Sequence, residues 1–231
     1  MSGNCVQVTG RAHFKTAFMT TDELIASLST DLRPVGRCAV GWRLAGGVMV
    51  GALASTVLSM ATLGLRPDLW LAMHGATFWM ISGYTISLAA VAIYVTARLA
   101  RPNPGSLRRL WLVAVPVLAL AAIGLGELIR TPRSGWLEMW LGHNWSKCPW
   151  LVLMLAAPIF IGLLWSFRRL APTRLRAAGA AAGLAAGAFS ATVYCLHCPE
   201  VSAIFVLTWY SLGILLAASI GALLGPRLMR W

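Results

Sequence analysis

Charge is what this chain has least of. Only 11% of its 231 residues are Asp, Glu, Lys or Arg, less than half of the roughly 25% found in soluble domains. Seven residues are acidic against 19 basic. No charged residue falls at the centre of any long apolar run. This speaks against a proton- or ion-coupled transporter, whose path needs an ionisable group at mid-membrane depth. No two halves of the chain resemble each other, which argues against a repeat-built carrier. There is no phosphate-binding glycine loop, no HExxH and no serine-centred motif. Nucleotide hydrolysis, zinc proteolysis and serine hydrolysis therefore lack the residues they need. Basic patches interleaved with aromatics are missing too, so direct nucleic-acid binding is set aside despite a net charge of +12.

What fills the chain instead is hydrocarbon, at 58% of residues. Six apolar blocks run near 44–65, 78–98, 110–127, 149–166, 177–196 and 203–224. Each is close to the ~20 residues that cross ~30 Å of hydrocarbon as a helix. They are too long and too continuous for barrel strands, which alternate over ~10 residues. The expected fold is all-α: a cytoplasmic N-terminal segment, 1–43, followed by a polytopic domain of six transmembrane helices, 44–231. The fifth block, "RAAGAAAGLAAGAFSATVYC", is the least apolar and the richest in small residues. Gly179, Gly183 and Gly187 recur every fourth position on one face, the spacing that lets helices approach closely in lipid. A packed central helix is expected there.

Lys and Arg in the connections set orientation. The N-terminal segment carries five, the second-to-third and fourth-to-fifth connections four each, and the C-terminus two, making fifteen on one side. The other side has four: Arg66, Arg130, Arg133 and Lys147. Both termini are therefore expected in the cytoplasm of a bacterial inner membrane, with the other connections in the periplasm. The same basic segments suit contact with the anionic lipid bilayer. Near the end of the third block, Glu127 and Arg130 are spaced as an i, i+3 pair, read as a structural contact.

Residues 1–18 lack the apolar core and cleavage site of a signal peptide. They are read as a disordered leader, or as the product of an upstream start with Met19 the functional one. Beyond them the pattern changes. Thr20 or Thr21 suits a helix cap, with Asp22 and Glu23 in the first turn. Leu24, Ile25, Leu28 and Leu32 fall on one face of a helix of about three turns that Pro34 stops. Asp22, Glu23 and Asp31 make its polar side acidic, so anionic lipid would repel it. The stripe instead suits the helix-in-groove mode of binding a protein partner, or packing on the protein's own loops.

Cys148, Cys195 and Cys198, with His74, His143 and His197, lie on the outward, oxidising face. Cys195 and Cys198 form a C-x-x-C around His197. A redox C-x-x-C draws its reactivity from a helix N-terminus, whereas this one follows a helix whose C-terminal dipole disfavours thiolate. A Cys148–Cys198 disulfide fits better, since both sit at comparable depth, each just before a proline (Pro149, Pro199). Cys195 is then a buried thiol one turn deeper. Cys148, Cys198 and His197, with Cys195 or His143 as extras, could instead bind a soft metal ion transiently; no permanent cofactor is expected. Reversible sensing by oxidation or metal capture stays open beside these.

The chain resembles the NrsF-type anti-sigma factors, membrane-bound negative regulators of an extracytoplasmic-function sigma factor. The likeness rests on "TDELIASLSTDLRPV", "LGLRPDL", "WSKCPW", "RRLAPTRLRAAGA", "LHCPE" and "WYSLGILLAASIGALLGPRLMRW", and covers roughly residues 19–231. It implies six transmembrane helices, a cytoplasmic N-terminal segment that holds the sigma factor, and two periplasmic cysteines that sense stress. By motif these are Cys148 and Cys198. Cys195 stands outside that two-cysteine pattern. The expectation is a regulator, not an enzyme. The competing readings are a membrane thiol-disulfide oxidoreductase and a soft-metal carrier.

Overall fold

The structure is a computed structural model that describes residues 20–29, 39–100, 111–167 and 172–229. Asp31, Leu32, Pro34 and the leader 1–18 with Met19 lie outside the described residues. The chain divides into two units, Met1–Arg37 and Cys38–Trp231, a boundary six residues earlier than the expected 43.

In the first unit, α1 spans Thr21–Ser29. Of the two candidate caps, Thr20 does the capping. The Glu23 amide donates to Thr20 Oγ1 at 3.3 Å, and the Thr20 amide donates to Glu23 Oε2 at 2.9 Å. This reciprocal box satisfies two amides that a helix start leaves without partners. Leu24 and Ile25 are 47% and 59% exposed.

The second unit holds six helices long and apolar enough to cross a membrane. They begin and end within about four residues of the sequence expectation. In chain order they are α2 (Ala39–Thr62), α4 (Ala76–Leu99), α5 (Ala114–Arg130), α7 (Cys148–Phe167), α8 (Leu175–Tyr194) and a final span, Ala203–Leu228. That span has three parts: α9 (Ala203–Phe205), a π-helical turn (Val206–Tyr210) and α10 (Ser211–Leu228). Two short helices missed in the sequence, α3 (Leu69–Met73) and α6 (Trp136–Leu141), sit in connections at the cysteine-bearing end. Exposed tryptophans ring both ends: Trp42, Trp111 and Trp165 at one, Trp70, Trp79, Trp145 and Trp150 at the other. Such belts mark the two membrane interfaces.

α8 is the central helix, as its glycines foretell. In its most apolar window 67% of residues are buried, against 17% for α5 at the periphery. At Gly179 and Gly183 its glycine face meets backbone, and at Gly187 it meets the backbone and side chain of Ile214 and the methyl of Ala217. A Cβ at Gly183 would stand 2.9 Å from both the Ala217 carbonyl carbon and Ala218 Cα of α10. Gly179 meets Gly221 and Gly225 in the same way. α2 and α7 repeat the device where Gly47 meets Gly162 and Gly51 meets Ile159. Lipid gives no hydrophobic drive to helix association, so close packing and interhelical hydrogen bonds must supply it. The bonds are present. Ser55 donates to the Leu155 carbonyl at 2.9 Å, Ser166 to that of Arg43 at 2.8 Å and Ser190 to that of Val152 at 2.9 Å. The Tyr84 and Ser211 hydroxyls bond at 2.7 Å.

Glu127 departs from expectation. Its Oε2 accepts from the Ala203 amide at 2.8 Å and from Ser202 Oγ at 3.4 Å. It caps the start of the last span rather than pairing with Arg130, because a carboxylate there meets a helix N-terminus with unpartnered amides.

Candidate functional site

Three stretches far apart in sequence, 63–69, 145–150 and 196–200, meet at the cysteine-bearing end. α8 stops at Tyr194 and the chain winds on for one tight turn. The His197 and Cys198 amides donate to the Tyr194 carbonyl at 2.9 and 3.0 Å. Pro199 then ends it, having no amide to continue the ladder. Cys195 and Cys198 thus lie one turn apart, at 5% and 3% exposure. Cys148 opens α7, its amide donating to the Asn144 carbonyl at 2.9 Å, and is fully buried. Pro149 fits the first helical turn, where a missing amide costs nothing.

The three thiols are free and share one buried polar cluster. Cys148 is in hydrogen-bonding reach of Tyr194, Cys198 of Tyr194 and Tyr210, and Cys195 of Thr85 and Tyr210. The π-helical turn ends on Tyr210 and so sets that hydroxyl among the thiols; such turns often mark functional positions. Burial pushes the Cys198 thiol up, and the Cys195 thiol up to about 12. Both are therefore held as thiols, and thiols are poor nucleophiles and poor metal ligands. The expected Cys148–Cys198 bridge is not formed in this structure.

A strap from the first connection closes over the turn. Gly64 takes φ +74°, a left-handed conformation that favours glycine, and its carbonyl lies 3.1 Å from His197 Nδ1. The Arg66 amide donates to the Leu196 carbonyl at 3.3 Å, and Arg66 Nη1 donates to the Cys198 carbonyl at 3.3 Å. Asp68 accepts both Arg66 Nε at 2.7 Å and Nη2 at 2.6 Å, fixing the guanidinium. The Arg66 hydrogen bond holds the Asp68 carboxyl below its ordinary value. From the other side, Glu200 Oε1 accepts the His143 amide at 2.7 Å. A cavity of about 80 Å³ lies under the strap, lined by Arg66, Thr77, Cys195, Cys198, Glu200 and Tyr210 among others. It has room for water, and Cys148 does not line it.

The structure thus gathers Cys148 and Cys198 as the sequence suggests, and adds Cys195. It does not gather a ligand set. Among the described residues no three His, Cys, Asp or Glu side chains are placed to hold a metal ion, and His197 turns to Gly64 and stacks against Tyr194. Arg66, Asp68, Glu200 and Tyr210 were not singled out from sequence for any role at this site. The one usable signal was Arg66 itself, the sole basic residue in its connection. Of the expected partner-binding residues, Asp22, Glu23, Leu24 and Ile25 are exposed on α1. Leu28 continues that helix, with its side chain outside the described residues.

Six helices long and apolar enough to cross a membrane, with three buried thiols at one end, define an all-helical protein of membrane-spanning character. Comparison with known proteins supplies the family. The family described as NrsF, negative regulator of sigma F, matches residues 28–231, and the chain belongs to it. The chain is 40% identical over 216 residues to a probable anti-sigma-F factor NrsF of Azospira oryzae, covering 92% of this chain and 100% of that protein. It is 38% identical over 215 residues to the anti-sigma-F factor NrsF of Caulobacter vibrioides, again covering 92% and 100%. No solved structure matches.

Proposed function

We propose that this protein is an anti-sigma factor of the bacterial inner membrane. It holds an extracytoplasmic-function sigma factor through α1 and the residues after it, and releases it on a stress signal read at Cys148 and Cys198. The family and its curated relatives support the anti-sigma role. The exposed Leu24 and Ile25 beside acidic Asp22 and Glu23 carry the assignment of the binding segment. They give a helix an apolar stripe for a protein groove and an acidic side that suits no anionic membrane. The fifteen-to-four division of Lys and Arg supports a cytoplasmic side for that segment and a periplasmic one for the cysteines.

The buried thiols define what a signal must do. An oxidant or a soft metal ion can act only by reacting with, or binding, a state in which the strap is open, and it shifts the population toward that state. The test is a pull-down of co-expressed sigma factor with wild type and with Leu24, Ile25 and Leu28 changed to Ala. The wild type retains sigma factor and the triple variant loses it. Equal retention by both removes α1 from the binding role. Cys148→Ser and Cys198→Ser then test the sensor: each retains sigma factor but fails to release it under stress.

A further inference from the structure

We propose that the crevice between the start of α8 and the end of α10 binds the phosphate headgroup of an anionic phospholipid. The crevice measures about 430 Å³ and is lined by Arg176, Leu223, Pro226 and Arg227. It lies at the end of the bundle opposite the thiols. The inference does not rest on the sensor or sigma-binding readings.

Two arginines line one space there, carried on helix ends whose backbones are held close. Arg176 is the second residue of α8, and Arg227 the last but one of α10. The helices touch beside them backbone to backbone: a Cβ at Gly225 would stand 2.6 Å from the Leu175 carbonyl oxygen and 3.1 Å from Gly179 Cα. Neither arginine makes an ion pair among the described residues. No Asp or Glu side chain of Cys38–Trp231 is near in sequence either. The four acidic residues of Cys38–Trp231 are Asp68, Glu127, Glu138 and Glu200, all toward the cysteine-bearing end. Like charges held together without a counter-ion repel, and an anion between them reverses the sign. The start of α8 adds to the attraction, since the positive end of its dipole lies beside Arg176.

The apolar half of the lining selects a lipid over a free anion. Leu223, about one turn inside Arg227, is 68% exposed and offers an acyl chain a surface. The spans end at this level, which is where headgroup phosphates sit. Basic pockets between transmembrane helices take anionic headgroups such as that of cardiolipin, whose phosphoglycerol chemistry phosphatidylglycerol shares.

The test uses the full chain in detergent, with native mass spectrometry against phosphatidylglycerol, phosphatidylcholine and inorganic phosphate. Phosphatidylglycerol is retained and phosphatidylcholine is not. R176Q/R227Q binds phosphatidylglycerol about thirtyfold more weakly, each arginine contributing about fivefold. R98Q, which removes a charge from the same end outside the crevice, binds as wild type. The single variants R176Q and R227Q, both at exposed positions, give the same comparison if the pair does not fold. Unchanged binding by the arginine variants overturns the proposal. So does an equal loss in R98Q, which would mean general surface charge. Inorganic phosphate competing at the same concentration as the lipid overturns the lipid as occupant.

Discussion

Gly183→Ala is the sharpest test of the helix packing that organises this bundle. The added Cβ would stand 2.9 Å from the Ala217 carbonyl carbon and 2.9 Å from Ala218 Cα, both backbone atoms of α10. Carbon atoms rest at about 3.5–4.0 Å, so the two helices must separate locally by roughly 0.6–1.1 Å. Overpacking of this kind costs about 1–3 kcal/mol. Alanine also returns up to ~1 kcal/mol of helix propensity, which would blur a single measurement. Gly46→Ala removes the ambiguity. Gly46 lies in α2 with nothing within 4 Å of its would-be Cβ, so that variant gains the propensity and meets no clash. The propensity gain cancels between them, and G183A should be about 2 kcal/mol less stable than G46A. Reversible unfolding of both in mixed micelles measures this directly. A difference under ~0.5 kcal/mol would show that α8 and α10 are not in backbone contact at Gly183. Gly183→Leu, too large for the seam, carries the test to function: sigma factor release that is unchanged in that variant refutes a role for the seam in signalling.

The remaining predictions concern the cysteine-bearing end. With its pKa pushed up to about 12, Cys195 is thiolate in about one molecule in 10⁴ at pH 8. Site-resolved alkylation should therefore be very slow, rising about tenfold per pH unit between 8 and 11; rapid labelling at pH 8 contradicts the burial. Arg66→Gln removes the Asp68 clamp and the bond to the Cys198 carbonyl, and should raise Cys198 labelling about 5–10-fold, with Arg66→Lys in between. The Asp68 carboxyl is held low, so its clamp is complete above the ordinary carboxylate range and is lost only as pH falls through that lowered value. Wild-type labelling should accordingly show no step from Asp68 between pH 5 and 8. Glu127→Ala takes the acceptor from the Ala203 amide and should cost about 1–2 kcal/mol in the same micelle assay. No loss there means that water caps the helix equally well.

The spans were legible because membrane physics acts through composition: a run of ~20 apolar residues has few other uses. Gly179, Gly183 and Gly187 announced the central helix for the same reason, since in lipid small residues mark contact. The site was legible only in part. Cys148 and Cys198 stood out by residue type, yet the sequence could not tell a thiol from a bridge, because that depends on burial contributed by segments up to 132 residues away, such as the Arg66 strap on Cys198. Tyr210 stayed hidden because a π-helical turn shifts the face a residue presents, and periodicity assumes 3.6 residues per turn. Glu127 was misassigned to Arg130 because spacing within a helix is visible in sequence, while the unpartnered amide of Ala203, 76 residues on, is not.

Charge and small residues make the two ends of the bundle mechanically unequal. At the cysteine-bearing end two carboxylates cross-link distant segments, Glu127 to Ala203 and Glu200 to His143, and a third, Asp68, fixes the Arg66 that ties the strap to Cys198. Two of these ties bear on the turn that contains Cys198. At the other end this unit has no Asp or Glu, and Arg176 and Arg227 line an open crevice. α8 joins the two ends through its 20 residues, a rise of about 30 Å. Chemistry at Cys198 would have to disturb the strap or the turn, since that thiol is buried in the turn to which the strap is bonded. With those ties loosened, α8 is still held by α7, through the Ser190 bond to the Val152 carbonyl, and by its seam with α10. At Gly179 and Gly183 that seam is glycine against backbone, with only Ile214 and Ala217 side chains entering at Gly187. A shift of α8 along that seam would reach Arg176 at its start. An anionic headgroup seated between Arg176 and Arg227 would oppose it, so phosphatidylglycerol content should set how strong a signal at the cysteines must be.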